Sequence, residues 1–291
     1  VNYDYDNKYL LSLSIRRDES SKFHKDNRVG YFPSVSAGWN VHQEKWFQNP
    51  VMSKLKIRAS YGELGANFLN PYNFDAIAYG PIPYTVGGER YVTGRAAYLK
   101  SKDLKWETAK TTDIGIELGF FNNDLTLSLD YFVKKNVDLL AQIDLNLSSG
   151  QIFEINSSRE KPYVNTASVK NTGWEFMMNY RKQLTKDFHI DATFNIATLK
   201  NKVLSLGENV QPITSGAMSS YFNDAASITM PGEAIGSFYG YKIDGFDAEG
   251  NFIFADTDKN GVVNANDKVI LGSPIPDLSL IHISEPTRQE A

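Results

Sequence analysis

The sequence predicts an all-β protein, an antiparallel up-and-down β-barrel that spans a membrane. Three observations lead to this fold class. Seven segments alternate apolar and polar residues with a period of two, short and long connections between them alternate, and charged side chains keep to the polar face. A period of two indicates strands with two unlike faces. A barrel differs from a soluble sheet in that its apolar face contacts lipid instead of a protein core.

The clearest of these segments form a hairpin at residues 111–133. Two alternating runs flank the turn at 122–124, whose Asn and Asp residues tolerate tight-turn dihedral angles. Glu117 and Asp130 fall on the polar face, which we expect to line a lumen. The side chains expected to face lipid are Ile114, Ile116, Leu118, Leu125, Leu127 and Leu129.

Five further segments alternate in the same way, and each has roughly the 9–11 residues that a tilted barrel strand needs. Between them the sequence predicts no helix of three turns. The segments are 8–16, 32–42, 54–61, 173–181 and 188–196.

The connections alternate in length after the first, which is of medium size. Tight or short ones lie at 43–52, 121–124 and 184–186, and long ones at about 62–103, 141–166 and 205–277. A barrel with short turns at one rim and elaborated loops at the other has this pattern. A soluble antiparallel sheet explains the alternation of residues equally well, but it does not sort its connections by length.

Charges and aromatic residues are also distributed as in a membrane barrel. Lys or Arg on a lipid face near the bilayer midplane costs about 2–4 kcal/mol, so a water-filled lumen predicts that charges avoid the apolar face. Aromatic side chains gather near strand ends, as in the girdles at membrane interfaces. The charges on the polar face are Arg16, Lys54, Lys56, Arg58, Glu117, Asp130, Glu175, Arg181 and Asp191.

Composition excludes several other classes of protein. The 291 residues carry a formal net charge of −4 and show no Lys/Arg cluster, so we expect no nucleic-acid partner. The absence of cysteine excludes disulfide scaffolds, thiol catalysis and Cys-based zinc sites. No run reaches the roughly 18 apolar residues of a membrane helix.

Several stretches resemble, in order, the C-terminal half of the SusC/RagA group of TonB-dependent outer-membrane transporters. The likeness covers nearly all of residues 1–279. The stretches are NKYLLSLSIRRDESSKF (7–23), YFPSVSAGWNVHQEKWF (31–47), LKIRASYGELG (55–65), WETAKTTDIGIELGFFNNDLTLSLDYFVKKNVDLL (106–140), NTGWEFMMNYR (171–181), GSFYGYKIDGFDAEG (236–250) and DTDKNGVVNANDKVILGSPIPDLS (256–279).

This resemblance implies that residues 1–279 are the C-terminal part of a 22-stranded barrel, of which about seven strands are present. Such transporters import oligosaccharides or peptides, and TonB–ExbB–ExbD energises them through an N-terminal region that we expect to lie upstream of this chain. A SusD-like surface lipoprotein covers the extracellular mouth. The expected location is therefore the cell outer membrane. The alternative from another class is a secreted β-rich carbohydrate-binding or adhesin module without transport.

The last residues, 280–291, depart from the pattern. A transporter of this group would continue into another alternating strand after Asp277. Instead the segment resembles translated sequencing-adapter read-through, and we predict that it is a non-native tail. A divergent natural terminus is the rival interpretation.

One loop has the ligand spacing of a calcium site. Oxygen donors occupy loop positions 1, 3, 5, 9 and 12 of residues 256–267, with glycine at position 6 and a main-chain carbonyl at position 7, as in an EF-hand. Asp267 replaces the usual Glu at position 12, and no flanking helices are predicted. The alternative is a polar turn without an ion. The predicted ligands are Asp256, Asp258, Asn260, Val262, Asn264 and Asp267.

Other candidate sites are weaker. Aromatic residues of the long loops can stack on sugar rings or pack against a partner, although packing within the loop explains each of them as well. The histidines have no metal-ligand spacing, and pairing of Glu117 with Asp130 is common on any polar sheet face, so we predict no enzymatic activity. The aromatic candidates are Tyr72, Phe74, Tyr79, Tyr84, Tyr239 and Tyr241.

Overall fold

The computed structural model describes residues 1–69, 78–96, 102–142, 163–186, 188–207, 210–217 and 225–288. Their regular structure is antiparallel β-strand, apart from two 3-10 helices at Val41–Gln43 and Ala265–Asp267. Within these ranges no helix is long and apolar enough to cross a membrane. The strands are β1 (Asn2–Tyr5), β2 (Tyr9–Glu19), β3 (Val29–Asn40), β4 (Met52–Ala66), β5 (Ala78–Val86), β6 (Glu89–Ala96), β7 (Glu107–Phe120), β8 (Leu125–Gln142), β9 (Tyr163–Thr185), β10 (Phe188–Thr198), β11 (Lys200–Ser205), β12 (Ile213–Ala217), β13 (Ala225–Thr229), β14 (Ser237–Tyr241), β15 (Ile243–Phe246), β16 (Phe252–Phe254), β17 (Lys268–Gly272) and β18 (Leu278–Arg288).

The largest sheet has the order β1-β2-β3-β4-β7-β8-β9-β10-β18, and β11 pairs with β9 outside this path. All seven predicted segments are strands, and β2 to β10 follow one another across the sheet in chain order. A hairpin of β5 and β6 is inserted between β4 and β7. This meander confirms the predicted all-β, antiparallel fold class of an open, partial barrel.

The chain divides into two compact units, each of which draws on several strands. The first comprises Val1–Phe47, Lys56–Ile114 and Lys134–Ser168, and the second comprises Gln48–Leu55, Gly115–Val133 and Val169–Ala291. In the first unit β2 pairs with β3 so that Leu13 lies opposite Val35. In the second, β9 pairs with β10 so that Phe194 lies opposite Met178. Residues directly opposite share a face, so the apolar residues predicted to lie together do so.

Several strands are longer than the alternating segments that predicted them. The segment 173–181 lies within β9, which has 23 residues, and β8 has 18 residues and extends to Gln142. Apolar alternation requires one buried or lipid-facing side, whereas main-chain pairing does not. The polar run from Lys134 to Asp138 therefore continues β8 without a periodic signal.

Two short turns of the main sheet use left-handed backbone at residues other than glycine. In the β1–β2 turn, Asp6 and Asn7 have φ values of 56° and 53°. In the β7–β8 turn, Phe121, Asn122 and Asn123 have φ values between 54° and 69°. Asn and Asp tolerate this conformation, and it matches the twist of two-residue hairpin connections. The tight connection predicted at 121–124 is thus confirmed.

Several residues of the predicted apolar face are exposed in β2 and in the hairpin of β7 and β8. In the second unit Leu129 is 42 % exposed, whereas its neighbour Asp130 on the polar face is 8 % exposed. In the first unit Leu13 and Ile15 of β2 are exposed on the same predicted face. A water-soluble two-faced sheet shows the reverse, because its apolar side covers a core.

The first unit has a small hydrophobic core where the medium and long connections leave the sheet. Phe23, Leu69 and Leu104 are almost fully buried there, with Trp106, Leu140 and Tyr163 packed around them. Polar contacts fasten the same region. The Asn165 side-chain amide donates to the main-chain carbonyl oxygens of Lys105 and Asp138, at 2.8 and 2.7 Å.

The second unit contains structure that sequence patterns did not predict. Within the predicted long loop 205–277, β12, β13, β14 and β17 form a four-stranded sheet, and β15 and β16 form a separate hairpin. These strands have five residues or fewer, too few for a periodic signal. β18 pairs with β10 along its length and includes most of the segment predicted as a non-native tail. The origin of that tail stays a prediction.

Candidate functional site

The loop 256–267 is the candidate metal site. It connects the end of β16 to β17, and its last three residues form the second 3-10 helix. The structure brings three of the predicted ligands together: one carboxylate oxygen from each of Asp256, Asp258 and Asp267 lies within 4.8 Å of the others. Residues distant by up to eleven positions therefore converge on one point.

Asp267, the residue that departs from the EF-hand pattern, organises the loop. Its Oδ1 accepts hydrogen bonds from the main-chain N–H groups of Thr257, at 2.7 Å, and Asp258, at 3.3 Å. Its Oδ2 accepts one from the N–H of Asn264, at 2.7 Å, which completes a capping box on the 3-10 helix. These N–H donors, that of Asn264 first, hold the pKa of the Asp267 carboxyl below its usual value. The shorter Asp side chain is thus fully buried and fixed as a carboxylate.

The glycine at position 6 turns the loop sharply. Gly261 has a φ of 86°, and Lys259, two residues earlier, has a φ of 60°. The Gly261 N–H donates to Asp256 Oδ2 at 2.7 Å, and the Asn260 N–H donates to Asp258 Oδ1 at 3.0 Å. The left-handed conformation at Gly261 explains why glycine occupies this position.

The remaining predicted ligands hold one another in place. Val262 N–H donates to Asn260 Oδ1 at 2.8 Å, and Asn264 Nδ2 donates to the Val262 carbonyl oxygen at 3.1 Å. The Asn260 amide group donates to Asp258 Oδ2 at 2.8 Å. Carboxylate and carbonyl oxygens have a second lone pair after accepting one such bond. The donor set, which is all oxygen and carries three carboxylates, fits a hard cation such as Ca²⁺.

The predicted loop aromatics are only partly described. Tyr239 and Tyr241 lie in β14 and are half-buried, and the Tyr241 ring contacts the Phe254 ring, with centroids 5.5 Å apart. The Lys268 ammonium lies 5.3 Å from the centroid of the Tyr241 ring. Tyr79 and Tyr84 belong to β5, but their side chains, like all of Tyr72 and Phe74, lie outside the described residues.

The polar face of the main sheet carries ion pairs. In the second unit, Lys54 Nζ lies 2.7 Å from Glu117 Oε2. The Asp130 carboxylate accepts a hydrogen bond from the Ser128 hydroxyl at 2.8 Å. Glu117 therefore has a lysine partner and Asp130 a serine partner.

The first unit has similar charges on its polar face, around a cavity. Arg58 Nη1 lies 3.2 Å from Asp113 Oδ1, and Lys110 Nζ lies 3.2 Å from Glu63 Oε1. Beside the Arg58 pair, a cavity of about 420 Å³ is lined by serine hydroxyl groups and Lys56 and also by Leu10 and Leu11. Side chains that are charged, paired and only partly covered suit a surface that faces water.

Sequence patterns missed a row of aromatic rings on the β15–β16 hairpin. Phe246 pairs directly with Phe252, and their ring centroids lie 5.3 Å apart. The Phe252 and Phe254 centroids lie 6.3 Å apart. The Phe-x-Phe spacing at 252–254 was the available signal, but three residues are too few to separate a strand from a loop.

Comparison with known proteins gives concordant results. A model of the family described as TonB dependent receptor-like, beta-barrel matches residues 1–269. TonB-dependent receptor P3 of Formosa agariphila is 34 % identical over 96 % of this chain and 29 % of its own length. TonB-dependent receptor SusC of Bacteroides thetaiotaomicron is 32 % identical over 96 % of this chain and 28 % of its own length. This chain thus spans less than a third of these relatives.

Solved structures share the fold. The structure of the RagAB peptide transporter superimposes with a TM-score of 0.77 at 21 % identity, covering 99 % of this chain and 31 % of the matched one. The RagAB peptide importer in its "open-open" state gives a TM-score of 0.77 at 23 % identity over 95 % of this chain and 29 % of the other. These structures therefore share the fold of this chain, and the resemblance to the SusC/RagA group is confirmed.

Proposed function

Because the chain belongs to the TonB-dependent receptor-like β-barrel family, we propose that it supplies C-terminal wall strands and outer loops to a nutrient importer of the outer membrane. The observation that carries this proposal is the exposed apolar face of the main sheet. Burial of apolar surface contributes about 25 cal/mol per Å², so a face of this kind is stable only against another apolar phase. Lipid provides that phase all around a barrel.

The proposed substrates are oligosaccharides or peptides. One relative is named SusC and a structural neighbour is described as a peptide transporter, and each description belongs to that protein. For this chain, the ion-paired polar face supports a water-filled route on the inner side of the wall. The proposed role is transport without catalysis, since both carboxylates considered for chemistry are engaged in other contacts.

The proposed partners follow from the family. TonB, with ExbB and ExbD, supplies the energy through an N-terminal region of the complete protein, and a SusD-like surface lipoprotein acts at the extracellular mouth. In this arrangement the connections at 62–103, 141–166 and 205–277 face outward, and the turn at 121–124 faces the periplasm. The long connections then stand where substrate arrives.

The experiment that tests transport uses the complete gene in its native host. We expect the full-length protein to fractionate with the outer membrane, and its deletion to abolish growth on one class of glycan or peptide. Uptake of a fluorescent glycan panel and a peptide panel identifies which class is carried. Full-length protein that stays in the aqueous phase without detergent contradicts the barrel and favours the secreted carbohydrate-binding or adhesin module.

For the loop 256–267 we propose calcium binding that stiffens an outer loop. The convergence of three carboxylates supports it, as does the glycine turn. In calorimetric titration of the full-length receptor we expect heat from Ca²⁺ in the range of extracellular sites, about 10⁻⁴–10⁻³ M. Asp258→Ala removes an exposed carboxylate of the proposed site and leaves the buried Asp267 in place, so it should abolish that heat. A receptor that gives no heat at millimolar Ca²⁺ contradicts the site.

A further inference from the structure

The apolar face of β1, β2 and β3 carries three stacked aromatic rings at the end nearest the short connections. Tyr5 lies directly opposite Tyr9, and Tyr9 directly opposite Trp39. The ring centroids of Tyr5 and Tyr9 lie 6.4 Å apart, and those of Tyr9 and Trp39 lie 6.3 Å apart. Tyr5 and Tyr9 are 57 % and 47 % exposed. We call these three rings the aromatic stack.

The same face becomes aliphatic further from the short connections. Leu11 lies opposite Ala37, and Leu13 lies opposite Val35. With a rise of about 3.4 Å per residue, Leu13 lies about 14 Å along β2 from Tyr9. Rings with a polar edge, followed by aliphatic side chains, match the interfacial and acyl-chain layers of one leaflet of a bilayer.

A carboxylate lies at the polar edges of the stacked rings. Glu44 Oε1 accepts hydrogen bonds from the Tyr9 hydroxyl, at 2.7 Å, and from the Trp39 indole N–H, at 3.1 Å. These two donors, the Tyr9 hydroxyl first, hold the pKa of the Glu44 carboxyl below its usual value, so the group is ionised. Neither bond uses Glu44 Oε2, and no residue in the described part of the chain donates to that atom.

The other charged side chains near Glu44 leave this oxygen open to a ligand. Lys8 Nζ forms its ion pair with Asp6 Oδ2, at 3.1 Å, and acts on Glu44 only from further away. Asp4 lines the cavity on the opposite face of the sheet. Lys45, the next residue after Glu44, is exposed. Asp6, Lys8, Glu44 and Lys45 carry two negative and two positive charges, which complements a headgroup that has one charge of each sign.

A primary ammonium group fits the open oxygen of Glu44. It offers three N–H donors, whereas a trimethylammonium group offers none. A hydrogen bond between two ionised groups is roughly twice as strong as a neutral one. A headgroup with only negative charge would be repelled by the Glu44 carboxylate.

We propose that Glu44 and the aromatic stack bind a phospholipid whose headgroup ends in a primary ammonium group, as in phosphatidylethanolamine. The ammonium group donates to Glu44 Oε2, the phosphate lies toward Lys45, and the acyl chains lie along Leu11 and Leu13. This inference rests on the proposed function, in which the apolar face contacts lipid and the short connections face the periplasm. The bound lipid then belongs to the periplasmic leaflet.

Native mass spectrometry of the full-length receptor tests the proposal. The receptor is reconstituted in bilayers that contain equal amounts of phosphatidylethanolamine, phosphatidylcholine and phosphatidylglycerol with the same acyl chains, and is then extracted in a mild detergent. We expect phosphatidylethanolamine to be retained about threefold or more over each of the other two, as for a partly exposed ion pair. Equal retention of the three lipids, or a preference for either of the others, overturns the proposal.

Three variants locate the preference on the protein. Glu44→Gln keeps the size of the side chain and removes its charge, and Tyr9→Phe keeps the ring and removes the hydroxyl that holds the carboxylate. Each should remove the preference for phosphatidylethanolamine. Glu63→Gln is the matched control, because Glu63 also accepts a hydrogen bond from a tyrosine hydroxyl, that of Tyr61, but lies near the far end of β4. A preference that survives either of the first two changes, or that is also lost in Glu63→Gln, overturns the proposal.

The amount of heat-modifiable receptor in the bilayer is measured for every variant. Wild-type receptor that does not insert into a bilayer contradicts the proposed function. Receptor that inserts fully but retains the three phospholipids equally contradicts only the lipid site.

Discussion

Leu129→Arg tests whether the exposed apolar face contacts lipid. Leu129 lies five positions after Asp124, the last residue of the β7–β8 turn, which the proposed arrangement places at the periplasmic side of the membrane. With a strand rise of about 3.4 Å per residue and a tilt of about 45°, this places the side chain about 12 Å into an apolar band about 25 Å tall. The substituted position is therefore close to the midplane, where Arg costs about 2–4 kcal/mol.

That cost corresponds to a loss of about 30- to 900-fold in the equilibrium constant for insertion. The full-length receptor is refolded from urea into lipid vesicles, and the free energy of folding is obtained from the transition midpoint by tryptophan fluorescence. Leu127→Arg, two positions nearer the turn, should cost less than Leu129→Arg, because the penalty falls toward the interface.

Ser128→Arg is the matched control on the other face. The Ser128 hydroxyl points to the Asp130 carboxylate, so an arginine at 128 meets a negative charge and water in a lumen. We expect a smaller loss than for Leu129→Arg, because the arginine can pair with the Asp130 carboxylate instead of entering lipid. Equal losses for Leu129→Arg and Ser128→Arg would refute the assignment of the two faces.

Three further predictions concern stability. Phe23→Ala leaves a cavity at a fully buried position and should destabilise the small hydrophobic core of Phe23, Leu69 and Leu104 by about 3–5 kcal/mol. Limited proteolysis should then cut residues 18–28 faster, while the amount of inserted receptor is unchanged. Gly173→Ala places a β-carbon against the Thr198 main-chain oxygen and should lower the yield of folded receptor, whereas Gly245→Ala meets no atom within 4 Å and should not. Because the pKa of Asp267 is lowered in the folded loop, its carboxylate stabilises the loop fully above the usual aspartate pKa of about 3.9. That stabilisation should be lost as the pH falls through the lowered pKa of the folded state. Hydrogen exchange of residues 256–267 at a series of pH values measures the loss.

Each of these has an outcome that contradicts it. An unchanged rate of proteolysis after Phe23→Ala would mean that the hydrophobic core around Phe23 does not hold residues 18–28 in place. Equal folding of the two glycine variants would mean that the sheet relaxes around the added methyl group. Protection of 256–267 that is constant from pH 6 to pH 2 would mean that the carboxylate of Asp267 does not hold the loop.

The main sheet could be predicted from sequence because its strands have two chemically unlike faces. Ile114, Ile116 and Leu129 are apolar on one side, and Glu117 and Asp130 are polar on the other, so period and strand order follow from the pattern. A strand without two unlike faces cannot be predicted from the pattern, as in the polar continuation of β8 and in β1. Backbone pairing there is set by the neighbouring strand instead.

The candidate site was predicted in its ligand types but not in its architecture. The spacing of Asp256, Asp258 and Asp267 indicated convergence, since oxygen donors at those intervals fit one cation. That Asp267 turns both of its oxygens toward main-chain N–H groups depends on the path of the whole loop. The contact between the Phe246 and Phe252 rings, likewise, arises from the pairing of β15 with β16, a register that no local pattern specifies.

The left-handed residues of the short turns bear on how such a protein diversifies. In the β7–β8 turn the backbone at Phe121, Asn122 and Asn123 fixes which residues of the two strands face each other, and it does so at the end away from the long connections. An insertion or deletion in a long connection therefore leaves that register unchanged. The long connections can therefore change in length and sequence while the pairing of β7 with β8 is kept.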